Sequence, residues 1–598
     1  MLTIFDYGVL IVYFTFLLGV GWFFRHFGGD SSQYFRGGGR MSWWLVGTSA
    51  FMGAFSAWTF TGAAGLAFEQ GIVVMTIYWA GSFGFFCNWA WIAAWFRQTR
   101  VITSMEAVRA RMGPVNEQVF TWLTLPIGVI VAGIWLYGLA IFCAPAFGLD
   151  LRLTIVMCGI AVVFMATVGG QWAIVAGDFV QALMLIPITI VAAVAAWIKV
   201  GGWEGLQAGL PAGHWDFTGS AAAEFGKFWV VAMFIEKFFT QNALHGAGRY
   251  LNVRDGREAR RAALLATILY GSGSILWFVP PLAARAMGMD LAGAFPGLTK
   301  PGEAAYVAMA SQVLPVGLLG LMVTGIVSAT LSSMDHGLNR NAGVFVRSVY
   351  VPLLRPRASE REQVLVGRLT TLVFGIVVIL TALMYSSWKD LGAFSLMFRF
   401  SALIGIPYAV PMVLCLFVKR VPDWAGWSTV LLGMGVGSLI GNAHKIFGPL
   451  VNPDSFVAQV LEWTGGHHFI AVTIGGSVIS TLWFFGIHLA FRNRMNPKRV
   501  AEIEEFFARM RRPVEPATEE VEHTNTRGTI GIGRMCLAYG AFILLLVLIP
   551  NTWVDRLAIA FCAAFVAGVG YALLKLGQRP SPVAPIARPS ELTSASSR

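Results

Sequence analysis

Ser328-Ala329-Thr330-Leu331-Ser332-Ser333-Met334-Asp335 closes an apolar, helix-like run that begins near Leu314 and precedes Asn339-Arg340. A hard monovalent cation leaving water needs about five oxygens, which in a bilayer come from hydroxyls and from carbonyls freed by a break in a neighbouring helix. Ser332, Ser333 and the carbonyl of Ala329 one turn back supply three of them. The plainer reading of the same residues is that Ser and Thr in membrane helices mostly bond their own i−4 carbonyl or let helices pack closely. The surrounding chain bears on that choice.

Of the 598 residues, 56% are hydrophobic and only 12% are charged, whereas soluble proteins carry about 25% charged residues. Many segments reach the roughly 20 apolar residues that cross a bilayer as helix, and none alternates as a barrel strand does. The expected class is an all-α membrane protein. The net charge of +12 reads as topology, because membrane proteins gather Lys and Arg in cytoplasmic loops. No nucleic-acid partner is expected. Cys87, Cys143, Cys158, Cys415, Cys536 and Cys562 lie in or beside apolar runs without metal-ligand spacing, so neither disulfides nor structural zinc are expected. Residues 1–24 read as a first span rather than a signal peptide, since the apolar stretch is long, Asp6 precedes it and no small-residue cleavage site follows.

Apolar runs predict about fifteen spans: 5–25, 43–68, 72–96, 118–148, 151–169, 172–200, 227–247, 262–288, 304–333, 366–386, 391–418, 424–443, 467–490, 529–549 and 553–575. The loops after odd-numbered spans carry the cations. They hold Arg25, Arg36 and Arg40; Arg97, Arg100, Arg109 and Arg111; Arg249, Arg254, Arg257, Arg260 and Arg261; Arg340, Arg347, Arg355 and Arg357; Lys419 and Arg420; Arg492, Arg494, Lys498 and Arg499; Lys575 and Arg579. By the positive-inside rule the amino terminus lies outside and the carboxyl terminus in the cytoplasm.

Transporters often consist of two inverted five-helix halves with interrupted helices at corresponding positions. Spans two to six (43–200) and seven to eleven (227–418) are the candidates, the first helix of each being rich in breakers and polar groups. In span two these are Gly53, Ser56, Thr59, Thr61, Gly62 and Gly65; in span seven, Thr240, Gln241, Asn242, Gly246 and Gly248. Close helix packing explains such glycines equally well. Around this core the expected organisation is an extra helix and loop at 1–42, further helices at 424–490, a cytoplasmic amphipathic segment at 491–528, a terminal pair at 529–575 and a disordered tail at 576–598. In the amphipathic segment Val500, Ile503, Phe506, Phe507 and Met510 recur at helical spacing among charges, which predicts a short helix on the inner membrane surface.

Several blocks resemble the sodium/solute symporters. They are Tyr34-Phe35-Arg36-Gly37-Gly38-Gly39-Arg40 with Trp43-Trp44; Ser56-Ala57 with Thr61-Gly62-Ala63-Ala64-Gly65 and Glu69-Gln70-Gly71; Gly169-Gly170 through Asp178 and Gln181; Arg249-Tyr250-Leu251; and residues 315–339 with the Ser-Ser-Met-Asp run. They fall in the family's order over roughly residues 1–490. The resemblance implies a LeuT-like five-plus-five inverted repeat with flanking helices, and sodium-driven uptake by alternating access. It implies a sodium site made of the carbonyls of Met52, Phe55 and Ala329 and the hydroxyls of Ser332 and Ser333, with Asp178 near the inner exit path. It leaves the solute open. Family sugar carriers have a polar pair after Ser-Ala where this chain has Trp58 and Thr59, and proline carriers have an acid where it has Ala54.

Ionisable residues at membrane depth are site candidates by default. Arg399, in span eleven, is placed to clamp a carboxylate, to pair with another helix, or to snorkel toward Lys389 and Asp390. Glu236 and Lys237, adjacent in span seven, point about 100° apart and are expected to be poor partners. Gln241 and Asn242 face a solute if the helix unwinds there, and otherwise glue helices together. Glu69 and Gln70 are either site residues or a solvated helix end; His245 and His336, near inner helix ends, are expected to serve structural hydrogen bonds. The substrate-binding candidates are therefore Ser56, Trp58, Thr59, Glu69, Gln241, Asn242 and Arg399.

The expected function is a sodium-coupled symporter in a bacterial plasma membrane, importing a small polar organic solute, with a sugar or sugar-like compound ahead of a carboxylate. The alternatives are a carboxylate or amino-acid carrier using Arg399 and a transporter-fold membrane sensor. No nucleophile, metal or cofactor motif points to an enzyme.

Overall fold

The structure is a computed structural model, and it describes residues 3–24, 31–218, 225–296, 298, 300–387, 393–515 and 526–578. Arg25, Lys389, Asp390, Arg579 and most of the expected tail lie outside the described residues, as do residues 516–525 of the amphipathic segment.

In lipid each backbone polar group has to be satisfied within its own segment, and the long apolar stretches are accordingly helical. The first half comprises α1 (Ile4–Phe24), the interrupted α2 (Trp43–Met52) and α3 (Ala57–Phe60), α4 (Gly62–Gln70), α5 (Met75–Cys87), α6 (Ser104–Phe147) and α7 (Leu151–Lys199). The second comprises α8 (Lys227–Asn242), α9 (Gly256–Trp277), α10 (Leu318–Phe345), α11 (Glu360–Ser386), α12 (Ala393–Phe400) and α13 (Ile406–Leu414). Then come α14 (Ala425–Phe447), α15 (His468–Phe491), α16 (Pro497–Arg511), α17 (Thr526–Leu545) and α18 (Trp553–Gln578). Among the described residues the isolated β-bridging is between Met41 and Val253.

Among the described residues, twelve helical stretches are long and apolar enough to span a bilayer, against about fifteen expected from hydropathy alone. The difference lies where helices break or turn. The stretch Ala57–Gln98 runs over two expected spans, Leu151–Phe164 is too short by itself, and α8 has only 16 residues. The two halves of α7 pack on different partners. Gly159 and Val163 meet Ile379 and Gly375 of α11, whereas Gln171, Asp178 and Leu185 meet Asn339, His336 and Gly325 of α10. Both pairings are antiparallel, and α10 and α11 themselves run oppositely, with Arg347 beyond one reaching Gln363 at the start of the other. The two apolar stretches within this range, Leu151–Phe164 and Gln171–Lys199, therefore run in opposite directions, as two crossings require.

The arginine-bearing loops gather at one end of the bundle and bond to one another. Arg36 donates to the Val101 carbonyl, Arg97 to that of Val253, and Arg347 pairs with Glu106 at 2.9 Å. At the opposite end Asp6 of α1, 1% exposed, accepts the N–H groups of Gly317 and Gly320 at 3.0 and 2.8 Å. It supplies a carboxylate to the positive amino end of α10. Gly320 lies so close to the Asp6 backbone that no side chain fits there.

The amphipathic helix is present as α16, but its apolar face is not turned to lipid. Ile503, Phe506, Phe507 and Met510 are buried against the protein's own loops. The Arg111 guanidinium lies 5.3 Å from the Phe507 ring centroid while donating to the carbonyls of Cys415, Val418 and Lys419. Arg499 pairs with Asp423, and Arg100 donates to carbonyls at the carboxyl end of α16. The helix has a protein surface to cover, which hydropathy periodicity alone does not reveal.

Candidate functional site

The chain unwinds twice, once where each half begins. Residues 53–56 separate α2 from α3; Ser56 is extended (φ −149°, ψ 175°), and its hydroxyl accepts the Trp58 N–H at 3.3 Å, capping α3. In the second half α8 stops at Asn242 because Ala243 is extended (φ −67°, ψ 145°), and a short 3-10 turn, Leu244–Ala247, takes over.

α10 lies across the first break. Ser333 Oγ sits 2.9 Å from the Phe55 carbonyl oxygen, 3.1 Å from that of Ala329 and 3.3 Å from that of Met52. Neighbouring Ser332 is 2% exposed, and its hydroxyl has no hydrogen-bond partner. A hydroxyl carries one proton and so donates fully to one carbonyl at a time; the lone pairs of the others stay available. Carbonyls of an unwound segment beside helix hydroxyls are a donor set suited to a small hard cation. Thr330 fixes the register, its Oγ1 accepting the Ala57 N–H at 2.7 Å at the start of α3.

Asp178, 1% exposed, accepts from Ser49 Oγ at 2.5 Å and lies 2.7 Å from His336 Nε2; Ser49 Oγ and His336 Nε2 are themselves 2.9 Å apart. This contact joins α2, α7 and α10 about one helical turn from Ser333.

A cleft enclosing about 1070 Å³, open solvent included, runs from the arginine-rich end toward the break. It is lined by Gly53, Ser333, Thr240, Gln241 and Phe85, together with Thr103, Arg249, Tyr250 and Arg340. Beyond Ser333 a buried aromatic cluster closes the other side. Phe55 packs on Trp277 with ring centroids 4.5 Å apart and on Phe60 at 5.2 Å, and Phe60 packs on Tyr306 at 4.6 Å.

The structure thus brings Met52, Phe55, Ala329 and Ser333 together, with Ser332 alongside and Asp178 a turn away. It disperses the substrate-binding candidates. Gln241 reaches the cleft with its Oε1 buried and without a hydrogen bond. Asn242 is interhelical glue, donating to the carbonyls of Gly84 and Phe238. Ser56 is engaged as a cap, Thr59 accepts from the Tyr78 hydroxyl at 2.9 Å, and Trp58 lies between Tyr78 and Phe398. Glu69 and Arg399 are both exposed, outside the cleft lining. The expectation that Glu236 and Lys237 are poor partners fails: Lys237 Nζ is 2.9 Å from Glu236 Oε2, because a four-carbon stem spans the angular gap between neighbours on a helix. Glu236 Oε1 also accepts from Ser401 at 2.6 Å.

Sequence reasoning missed Ser49 and Thr330 as organising hydroxyls. Ser49 stands one turn before Gly53, and Thr330 lies inside the quoted run, so helical spacing was the available signal. Arg249 and Arg340 were read as topology markers, and they also line the cleft.

Comparison with known proteins bears on family and fold. The chain is 27% identical over 476 residues to the sodium/myo-inositol cotransporter 2 of Sus scrofa, covering 72% of this chain and 69% of that protein. It is 28% identical over 478 residues to the Homo sapiens protein of the same name, with the same coverage, and 23% identical to the sodium/glucose cotransporter 4 of Danio rerio over 471 residues, covering 72% and 71%. In fold it matches a Na+-coupled sialic acid symporter solved in a substrate-bound outward-open state, with a TM-score of 0.63 and 20% identity, covering 83% of this chain and 99% of that one. That likeness places the helices in a LeuT-like inverted-repeat arrangement. The model of the sodium:solute symporter family matches residues 34–433, which span both broken helices, Asp178 and the hydroxyls of α10, and the chain belongs to that family of membrane transport proteins.

Proposed function

We propose that this chain imports a small polar organic solute, sugar or sugar-like, together with sodium by alternating access. The observation that carries the reading is the Ser333 hydroxyl held within 3.3 Å of the Met52 and Phe55 carbonyl oxygens at a helix break and of the Ala329 carbonyl oxygen of its own helix. Sodium is held by the carbonyls of Met52, Phe55 and Ala329 and the hydroxyls of Ser332 and Ser333. Replacing the hydroxyl–carbonyl bonds by coordination draws α10 onto the broken helix and couples ion occupancy to the shape of the cleft. The ion leaves past Asp178. Gln241 offers an unpaired amide oxygen to a solute hydroxyl. The names of the relatives, which are myo-inositol and glucose cotransporters, support a polyhydroxylated solute.

The arginine-rich end is cytoplasmic by the positive-inside rule, with the amino terminus outside, the carboxyl terminus inside, and a bacterial plasma membrane as the setting. The cleft is then open inward, the state that releases cargo. One sodium moving down roughly 100 mV contributes about 2.3 kcal/mol, and a tenfold concentration ratio about 1.4 kcal/mol more. Together they sustain roughly a 500-fold solute gradient at one ion per solute.

The test is uptake into proteoliposomes loaded with potassium and diluted into sodium, with myo-inositol, glucose and a sugar acid as labelled solutes. Accumulation of one of them above its outside concentration, abolished when sodium is replaced by potassium outside, supports the reading. Equilibration without accumulation, or accumulation indifferent to sodium, contradicts it.

A further inference from the structure

A second cavity lies far from the cleft, on the outside of the bundle between α14 and α15. It is walled by Trp424, Leu432, Ile479, Leu482, Trp483, Gly486, Ile487, Ala490 and Phe491. Its walls are apolar throughout apart from the Trp ring nitrogens, and one of these is engaged, Trp483 Nε1 donating to Ser428 Oγ at 3.2 Å. Ile487 forms a floor that is 3% exposed, whereas Leu482 is 66% exposed on the rim. From Ile479 to Phe491 the groove follows thirteen residues of α15, about 18 Å of helix at 1.5 Å per step. One leaflet of the hydrocarbon core is about 15 Å deep. The groove therefore begins at the arginine-rich end and stops near the bilayer midplane.

The rim at that end is cationic. The Arg494 guanidinium stands 5.9 Å from the centroid of Phe491, a wall residue. His488, one position beyond the floor residue Ile487, holds the Arg420 carbonyl through Nδ1 at 2.7 Å, which sets Arg420 beside the groove. Arg492 follows directly on the last wall residue and is exposed. The carboxylates in reach are engaged: Asp423 pairs with Arg499 at 2.9 Å, and Glu504 makes a long ion pair of 4.0 Å with Arg420, weakened by solvent because both side chains are more than half exposed.

We propose that this groove is a specific site for one phospholipid with an anionic headgroup, taken from the leaflet at the arginine-rich face. One acyl chain lies along Leu482, Gly486 and Ile479 over the Ile487 floor, and the phosphate rests among Arg420, Arg492 and Arg494. An apolar slot one leaflet deep beneath a basic rim matches the two ends of such a lipid and no soluble ligand.

Gly486 supplies the test, since a Cβ built there meets nothing within 4 Å. Gly486→Leu fills the slot without displacing the helix, and Arg492→Gln/Arg494→Gln removes rim charge while leaving the slot open. Each protein is purified in mild detergent, offered phosphatidylglycerol or phosphatidylcholine, and weighed intact by native mass spectrometry. The wild type is expected to hold one phosphatidylglycerol in at least tenfold preference to phosphatidylcholine. Gly486→Leu loses that lipid, the double Arg variant reduces the preference to near unity, and both keep the wild-type response to sodium. Equal retention of phosphatidylglycerol by wild type and Gly486→Leu overturns the proposal. So does equal retention of the two lipids by the wild type, which reduces the groove to ordinary lipid-facing surface.

Discussion

Single hydroxyls organise the first broken helix. Thr330 accepts the N–H of Ala57 in a fully buried setting, and a buried donor left without its acceptor costs about 1–3 kcal/mol. Thr330→Val keeps the shape and removes the acceptor. It is expected to lower the melting temperature and weaken sodium stabilisation, with Thr330→Ser restoring both; scanning fluorimetry with and without sodium reads the two effects. Another local contact makes stability depend on pH. In the loop between α7 and α8, His214 lies 3.2 Å from the Phe68 carbonyl, and its backbone fits against Gly71. Burial lowers its pKa, with nearby Arg285 acting in the same direction and the Phe68 carbonyl opposing. The unfolded chain then takes up the proton first as the solution is acidified, so stability is complete above the ordinary histidine value of about 6.5 and is lost as pH falls below it. The fall in melting temperature between pH 7.5 and 5.5 is expected to be smaller in His214→Gln than in the wild type; equal slopes exclude the assignment.

At the scale of elements, the contact between α1 and α10 is set by one carboxylate. Asp6 receives two backbone N–H groups of α10 and both the N–H and the hydroxyl of Thr3. Losing a helix cap costs about 1–2 kcal/mol. Asp6→Ala is expected to destabilise the protein by that order in denaturation, with Asp6→Asn in between, since an amide oxygen still accepts but carries no charge for the helix dipole. Nothing in the sequence pairs residue 6 with residue 317; the contact exists only once the bundle has formed. Other elements were legible because breakers mark them. Gly53 and Ser56 announced the first interruption, and the run from Thr240 to Gly248 announced the second. The exact break at Ala243 was not legible, because alanine favours helix and tertiary packing overrides it. Periodicity likewise located α16 but gave no hint of Arg111 and Lys419 as the groups that cover Phe507.

Across the whole molecule, the gathering of the cationic loops was readable because charge and hydropathy act at that scale. Arginines spread over six loops and separated by hundreds of residues meet at one end, as the alternation of loops required. The number of crossings was less readable, since a helix that turns inside an apolar run, as α7 does, leaves no polar gap. The meeting of Met52, Phe55, Ala329 and Ser333 was readable from hydroxyls closing a membrane helix, joined to the family resemblance. The solute candidates fare differently: Arg399, one of whose expected roles was to clamp a carboxylate, lies exposed outside the cleft, while Ser56, Thr59 and Asn242 are engaged in the scaffold. Polar side chains in a bundle serve caps and interhelical bonds as readily as ligands, and only coordinates separate the uses. Coupled transport by this chain rests on one ion at one helix break. Sodium binding to the folded state alone stabilises it by about 2.7 kcal/mol at a hundred times its dissociation constant. The deciding measurement is therefore the thermal stabilisation of purified protein by sodium, with potassium at equal ionic strength as reference, in wild type and in Ser332→Ala/Ser333→Ala. A rise in melting temperature given by sodium alone in the wild type, and absent from a double variant that still unfolds cooperatively, is the predicted result. An equal rise in both proteins would contradict the site.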